Sequence, residues 1–350
     1  MTVRKLSIFV LAAVLFAFSS ASPAQHERDN FRIAWSIYVG WMPWAYADSQ
    51  GIVDKWADKY DIDIDLIQVN DYVESINQYT AGNVDGVTAT NMDALTLPAA
   101  SGVDTTAIIL GDYSNGNDGV VLKGATSLED IAGRQVNLVQ YSVSDYLLSR
   151  ALDSVGMTQR DISPVNTADA DIVGAFANPD VTAAVTWNPQ LSVISNMPDA
   201  TRVFSSKQIP REILDLTIVN TDTLNANPDL GKALVGAWYE VMAKMAADDP
   251  QALSIMAEAA GTDLAGYRQQ LAATHLYTDP AEAAELMADP ELLETMQKVA
   301  RFSFKQGLLG PSAPSPEVIG IRSPAGVYGN NAHIKLRFDP RFTRNVEPAK

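Results

Sequence analysis

Between Phe31 and Val219 the sequence alternates short apolar runs of period two with amphipathic stretches of helical period, in two successive blocks. Strands that alternate with helices are joined by right-handed crossovers, which build parallel sheets covered by helices. Phe31 to Val39 carries its apolar residues at odd positions and reads as the first strand, with an amphipathic helix over Ala45 to Lys59. Asp61 to Ile67 alternates again. The helix after it presents Val73, Ile76 and Tyr79 on one face and stops near Gly82, where a left-handed turn is easy. Val84 to Thr90 is the next strand, a short helix starts at Asn91, and Thr105 to Leu110 completes the block.

The second block opens after Asp118. Ser127 and Asp130 mark a helix start, Gln135 to Val139 a strand, and Ser144 to Val155 a helix ended by Gly156. Val181 to Thr186 is a further strand, leading into Trp187-Asn188-Pro189. Beyond Val219 the pattern turns to helices over Pro228 to Ala247, Gln251 to Ala260 and Glu291 to Leu308, and the tail after Arg322 reads as irregular. Two α/β blocks and a helical return require the chain to pass between two lobes twice. Placing the passages near 112–120 and 210–217 gives lobe I as residues 25–117 and 217–350, and lobe II as 118–216. Each lobe is expected to be a mostly parallel sheet flanked by helices, with a ligand cleft between the lobes.

The N-terminus precedes this pattern with a different grammar. Arg4 and Lys5 lead into the apolar run Leu6 to Phe18, and small residues follow through Ala24. That is the pattern of a cleavable secretory signal over 1–24, since a membrane-spanning helix takes roughly 20 apolar residues. Cleavage fits after Ala21 or Ala24, with Ala24 preferred. The sequence has no cysteine, which excludes disulfides, thiolate chemistry and a lipid-modified cysteine at the processing site. Without Arg4 and Lys5 there remain 23 basic residues against 42 acidic ones, a net charge of −19. A surface that acidic argues against nucleic acid or anionic lipid as partner, although acidity serves solubility as well.

Four segments carry a family likeness: Trp35-Ser36 through Pro43-Trp44, Gly86 through Ala94, Gly111 through Gly119, and Val185 through Pro189. On these the chain resembles the periplasmic binding components of nitrate, sulfonate and taurine-type ABC importers over nearly all of its mature length. Among them it is most similar to the members associated with urea carboxylase. The resemblance implies a two-lobed periplasmic binding protein of type II and a monomer. It also implies an ABC permease in the cytoplasmic membrane as partner, no cofactor, and urea or guanidine as cargo.

The chemistry of these segments can be weighed without the likeness. In open α/β sheets ligands bind beyond the carboxyl ends of the strands, where all four segments lie. There the chain offers Trp41, Trp44, Tyr113, Tyr141 and Trp187 as flat faces. It offers Asp93, Asp112 and Asp118 as carboxylates, and Asn91, Asn117, Ser142 and Asn188 as neutral polar groups. No Lys or Arg stands among them, and an anion such as a sulfonate or nitrate wants one. Guanidinium offers in-plane N–H donors that carboxylates accept in pairs, and a face that lies on an indole. Urea uses the same groups and adds one acceptor oxygen for Asn or Ser. The helix starting near Ser144 points its positive end at the cleft and favours a negative or neutral group, unless Asp145 cancels that field.

Each of these residues has a plainer role open to it. Trp35 and Tyr38 belong to a strand and fit a core, Asp93 can cap a helix, and Asp112 or Asp118 can serve turns in a Gly- and Asn-rich loop. Met42 and Met92 fit packing. As a catalyst the chain is poorly equipped. His26, His275 and His333 stand apart from a second catalytic group, and no Gly-x-Ser-x-Gly elbow, phosphate loop or His-Glu-x-x-His helix occurs. Alternatives on the same fold are a sulfonate, nitrate or amide binder, a signalling receptor, and a pyrimidine-processing enzyme.

Overall fold

The computed structural model describes residues 28–346, so the leader expected over 1–24 lies outside the described residues. The chain first lays down β1 (Asn30–Trp35), β2 (Asp63–Gln68), β3 (Gly86–Thr90) and β4 (Thr105–Ser114). It then crosses to a second sheet of β5 (Asp118–Lys123), β6 (Gln135–Leu138), β7 (Ser163–Asn166), β8 (Ala183–Trp187) and β9 (Ala200–Ser205). It returns with β10 (Leu214–Asn220), adds β11 (Thr274–Leu276), and ends in β12 (Gly320–Ser323), β13 (Gly326–Tyr328) and β14 (Ile334–Phe338). The nine-stranded sheet runs β13-β12-β14-β4-β10-β3-β1-β2, with β11 on β4; the five-stranded sheet runs β7-β6-β8-β5-β9.

Both sheets are mixed where mostly parallel ones were expected. β10 is antiparallel to β3 and β4, and β5 is antiparallel to β8 and β9. The cause is the double passage. A strand that arrives from the other lobe enters its sheet at the cleft end, so it runs against strands that finish there. Leu214, the first residue of β10, accordingly lies opposite Tyr113 near the end of β4. The two passages lie side by side: Ser206 Oγ accepts from Gly116 N at 2.8 Å, and Ser114 N donates to Ile213 O at 3.0 Å.

Two further expectations are corrected. The helix expected over Ala45 to Lys59 is two helices, Met42–Ser49 and Ile52–Asp58, because Gly51 takes a left-handed φ of 63° between them. The tail after Arg322 is not irregular. In β14 Ile334, Leu336 and Phe338 are buried while Lys335 and Arg337 are half-buried, and the strand extends the large sheet parallel to β4. The helical return has a local cause. Asp249-Pro250, Asp279-Pro280 and Asp289-Pro290 each place a capping aspartate before a first-turn proline, and each aspartate side chain accepts from backbone N–H groups of the new helix. The core lies between the large sheet and the helices, among them Pro228–Ala246, where Ile33, Val87, Ile108, Leu234 and Met242 are fully buried. Each such side chain contributes roughly 1.5–3 kcal/mol.

Candidate functional site

The cleft ends of the two sheets meet at a narrow slot lined by Tyr38, Trp41, Tyr72, Thr90, Asp118, Val143, Trp187, Ile213 and Asp215. Its free volume is about 10 Å³, roughly what one water needs, so the occupant must be small and the walls must give to admit it. No Lys or Arg is among these residues.

The aromatic wall is continuous across both sheets. Tyr38 and Trp41 meet edge to face at 5.1 Å, Trp41 and Tyr72 lie 5.6 Å apart at 36°, and Tyr72 meets Trp187 at 5.5 Å and 74°. Tyr38 and Trp41 come from the turn after β1, Tyr72 from the helix after β2, and Trp187 from the end of β8.

The acidic wall has four members. Asp112 and Asp215 face each other across the β4–β10 pair, and Tyr38 OH donates to Asp112 Oδ1 at 3.1 Å. Asp112 Oδ2 is buried and receives no hydrogen bond. Burial raises both carboxyls above the ordinary carboxylate range; for Asp215 the neighbouring Asp112 and Asp118 raise it further. Asp118 accepts from Ser114 Oγ and is pushed up to about 6 by burial. Asp93 sits one layer back. Its Oδ2 accepts from Tyr72 OH at 2.6 Å, Thr90 Oγ1 at 3.0 Å and Val143 N at 3.2 Å. Burial pushes Asp93 up to about 7 against these three donors. The approach of Asp112 depends on Gly40, where a methyl group would lie 2.2 Å from Asp112 Oδ2 and 2.6 Å from Tyr38 Cε1.

The helix Val143–Ser154 does point its N-terminus at the slot, but the field is already answered. Val143 N is spent on Asp93 of the facing lobe, and Asp145 accepts from Tyr141 N. The positive helix end therefore makes no demand for an anionic guest.

The residues singled out in the sequence fall into three groups. Trp41, Asp118 and Trp187 line the slot. Asp93, Asp112 and Asn117 stand directly behind it, Asn117 donating to Tyr38 OH at 3.4 Å and accepting from Asn188 Nδ2. The others are used elsewhere. Trp44 is fully buried against Trp238, ring centres 5.1 Å apart, on the core side of its helix. Asn91 ties down the returning chain, donating to Glu212 O and accepting from Leu214 N. Tyr113 stacks on His275 at 4.7 Å. Tyr141 is 61% exposed at a φ of 63°, which turns its ring outward. Ser142 caps the helix Val143–Ser154, and Asn188 accepts from Ser192 N and Oγ.

Sequence reasoning missed Tyr38, Tyr72 and Asp215. Tyr38 was expected in a strand core, but β1 ends at Trp35 and Tyr38 lies in the turn beyond. Asp215 carried a signal, a lone carboxylate inside the apolar run Leu214 to Val219. Among the described residues no group of three or more His, Cys, Asp or Glu side chains is arranged to hold a metal, and no helix is long and apolar enough to cross a membrane.

Two α/β lobes closing on a buried slot at their strand ends define a two-lobed periplasmic binding protein fold. The chain belongs to the NMT1/THI5-like family, whose model matches residues 54–252. It is 25% identical over 173 residues to binding proteins of Brucella abortus and Brucella suis, covering 47% of this chain and 52% of theirs. The chain thus spans about half the length of the curated relatives it matches. Its fold is that of the alkanesulfonate-binding protein SsuA of Xanthomonas axonopodis pv. citri bound to MOPS, with a TM-score of 0.69 at 16% identity over 81% of this chain and 95% of that one. The nitrate-binding protein NrtA of Synechocystis gives 0.58 at 13% identity over 92% and 99%.

Proposed function

We propose that this chain is the extracytoplasmic solute-binding component of an ABC importer, and that it captures a small planar nitrogen compound, guanidinium or urea. It binds rather than catalyses, is exported to the periplasm by its leader, and delivers its cargo as a monomer to a permease in the cytoplasmic membrane. The family and the fold support the role of carrier.

The cargo rests on one observation: the slot is walled by Tyr38, Trp41, Tyr72 and Trp187 together with Asp118 and Asp215, and no basic side chain lines it. The SsuA and NrtA relatives carry sulfonates and nitrate by name, and an anion here would meet four buried carboxyl groups with no counter-charge. A planar donor-rich solute meets acceptors in its plane and rings on its faces, at roughly 0.5–2 kcal/mol for each cation–π contact.

Thermal-shift measurement on the mature protein tests this with guanidinium, methylguanidinium, urea, taurine, nitrate and small amides at millimolar concentration. Stabilisation by guanidinium or urea is the expected result, and stabilisation confined to taurine or nitrate would overturn the reading. Trp187→Ala should weaken binding by about 10- to 30-fold in calorimetry, the equivalent of roughly 1.4–2 kcal/mol.

A further inference from the structure

The paired carboxyls Asp112 and Asp215 set a charge balance that a neutral guest and a cationic guest would disturb differently. The two residues are directly opposed on adjacent antiparallel strands and are 0% and 3% exposed. The groups that face them are Tyr38 from the turn after β1, Asp118 from β5, and Tyr267 from the helix Leu264–Leu271. Tyr277, just beyond β11, completes the surroundings. Every one of these is acidic or a neutral phenol. Two carboxylates held this close in a dry site cannot both ionise, so one proton stays with the pair. The hydrogen bond from Tyr38 OH occupies Asp112 Oδ1, while Asp112 Oδ2 has no donor of its own. Asp215 reaches the slot itself.

Resting on the cargo reading above, we infer that guanidinium enters the slot in exchange for the proton shared by Asp112 and Asp215. The balance is simple. The protonated pair plus guanidinium gives the doubly ionised pair with guanidinium bound, and the proton passes to the buffer. Urea and other neutral amides carry no charge to replace that proton, so they leave the pair as it was. The pair thereby selects a cation over its neutral isostere, and the selection weakens in acid. Where the empty pair holds its proton, affinity for guanidinium changes tenfold per pH unit for one proton released, and affinity for urea does not change.

Isothermal titration calorimetry with guanidinium chloride at non-denaturing millimolar concentration reads this directly. Run at one pH in buffers of different ionisation enthalpy, it gives the number of protons released per ligand bound. Near one proton for guanidinium and none for urea is the expected result at pH 7, where Asp118, raised to about 6, has already lost most of its own proton, with guanidinium binding tighter at pH 7.5 than at pH 6.5 by up to tenfold. Guanidinium binding with no proton release and no pH dependence overturns the exchange and leaves the cargo reading standing. No guanidinium or urea binding at any pH from 5 to 9 overturns the cargo reading itself. Asp215→Asn should abolish the release; a full proton still released by that variant would assign the proton elsewhere and sink the inference. The wild-type measurement stands whether or not the variant folds.

Discussion

Gly40 shows how a residue with no side chain shapes the site. Its hydrogen stands where any Cβ would press on Asp112 and Tyr38 together. Gly40→Ala should displace one of them and weaken binding about tenfold or more, and the melting temperature should fall as well because Val39, Gly40 and Trp41 are all buried. Calorimetry and a thermal melt on the same sample separate the two effects. Asp215→Asn should behave the other way, losing affinity yet melting no lower than wild type, since it removes a carboxyl from a crowded buried group. Part of this was legible in the sequence. Trp41, Asp118 and Trp187 lie beyond or at strand ends, where topology alone directs residues to a cleft. Asp215 showed only as a lone carboxylate in an apolar run; its partner Asp112 comes from a strand far away in sequence, and only the pairing of β4 with β10 brings them together.

Among the elements, the helix Val143–Ser154 decides how the lobes meet. Its first N–H donates to Asp93, carried on the helix after β3 in the opposite lobe. A second contact nearby is the N–H of Tyr72 donating to Asp169 at 3.5 Å. Hydrogen bonds to charged groups contribute roughly 1.5–3 kcal/mol, so Asp93→Asn should shift the population toward the open form by about tenfold. Small-angle scattering should then show a larger radius of gyration for the empty variant, restored by saturating ligand; identical curves for variant and wild type would deny Asp93 that role. The start of this helix was readable from Ser142 and Asp145, but what it faces was not, since a helix end shows its field and not its partner. Strand β14 was legible and overlooked: Ile334 to Phe338 alternates with period two, although its place beside β4 depends on the sheet edge left open there.

For the molecule as a whole, the buried carboxyls set a pH dependence of the opposite sense to that of an ordinary ion-paired acid. Asp93, Asp118 and Asp169 are raised to about 7, 6 and 6, chiefly by burial. Each holds its proton more tightly folded than unfolded, so its contribution is complete below about pH 4 and is lost as the pH rises through 6 to 7. Glu212, lowered by Arg150 and Tyr146 in spite of its burial, acts in the reverse sense, but only as the pH falls below the ordinary glutamate range. The ligand-free protein should therefore melt on the order of 5 °C lower at pH 8 than at pH 5.5, and a guanidinium-loaded sample should show a smaller difference. Scanning calorimetry without guanidinium or urea as denaturant checks this, since either would act as a ligand.

The double passage between lobes was legible as two α/β blocks and a helical return. The antiparallel strands that the passages create follow from the direction of entry and not from any residue. What matters most is the chemistry of the space the lobes enclose, and a crystal structure of the guanidinium complex tests it most directly. The account predicts a planar guest against the rings of Tyr72 and Trp187, its nitrogen atoms within about 3 Å of Asp118 and Asp215 oxygens. A guest bound elsewhere, or one held by a lysine or arginine, would contradict it.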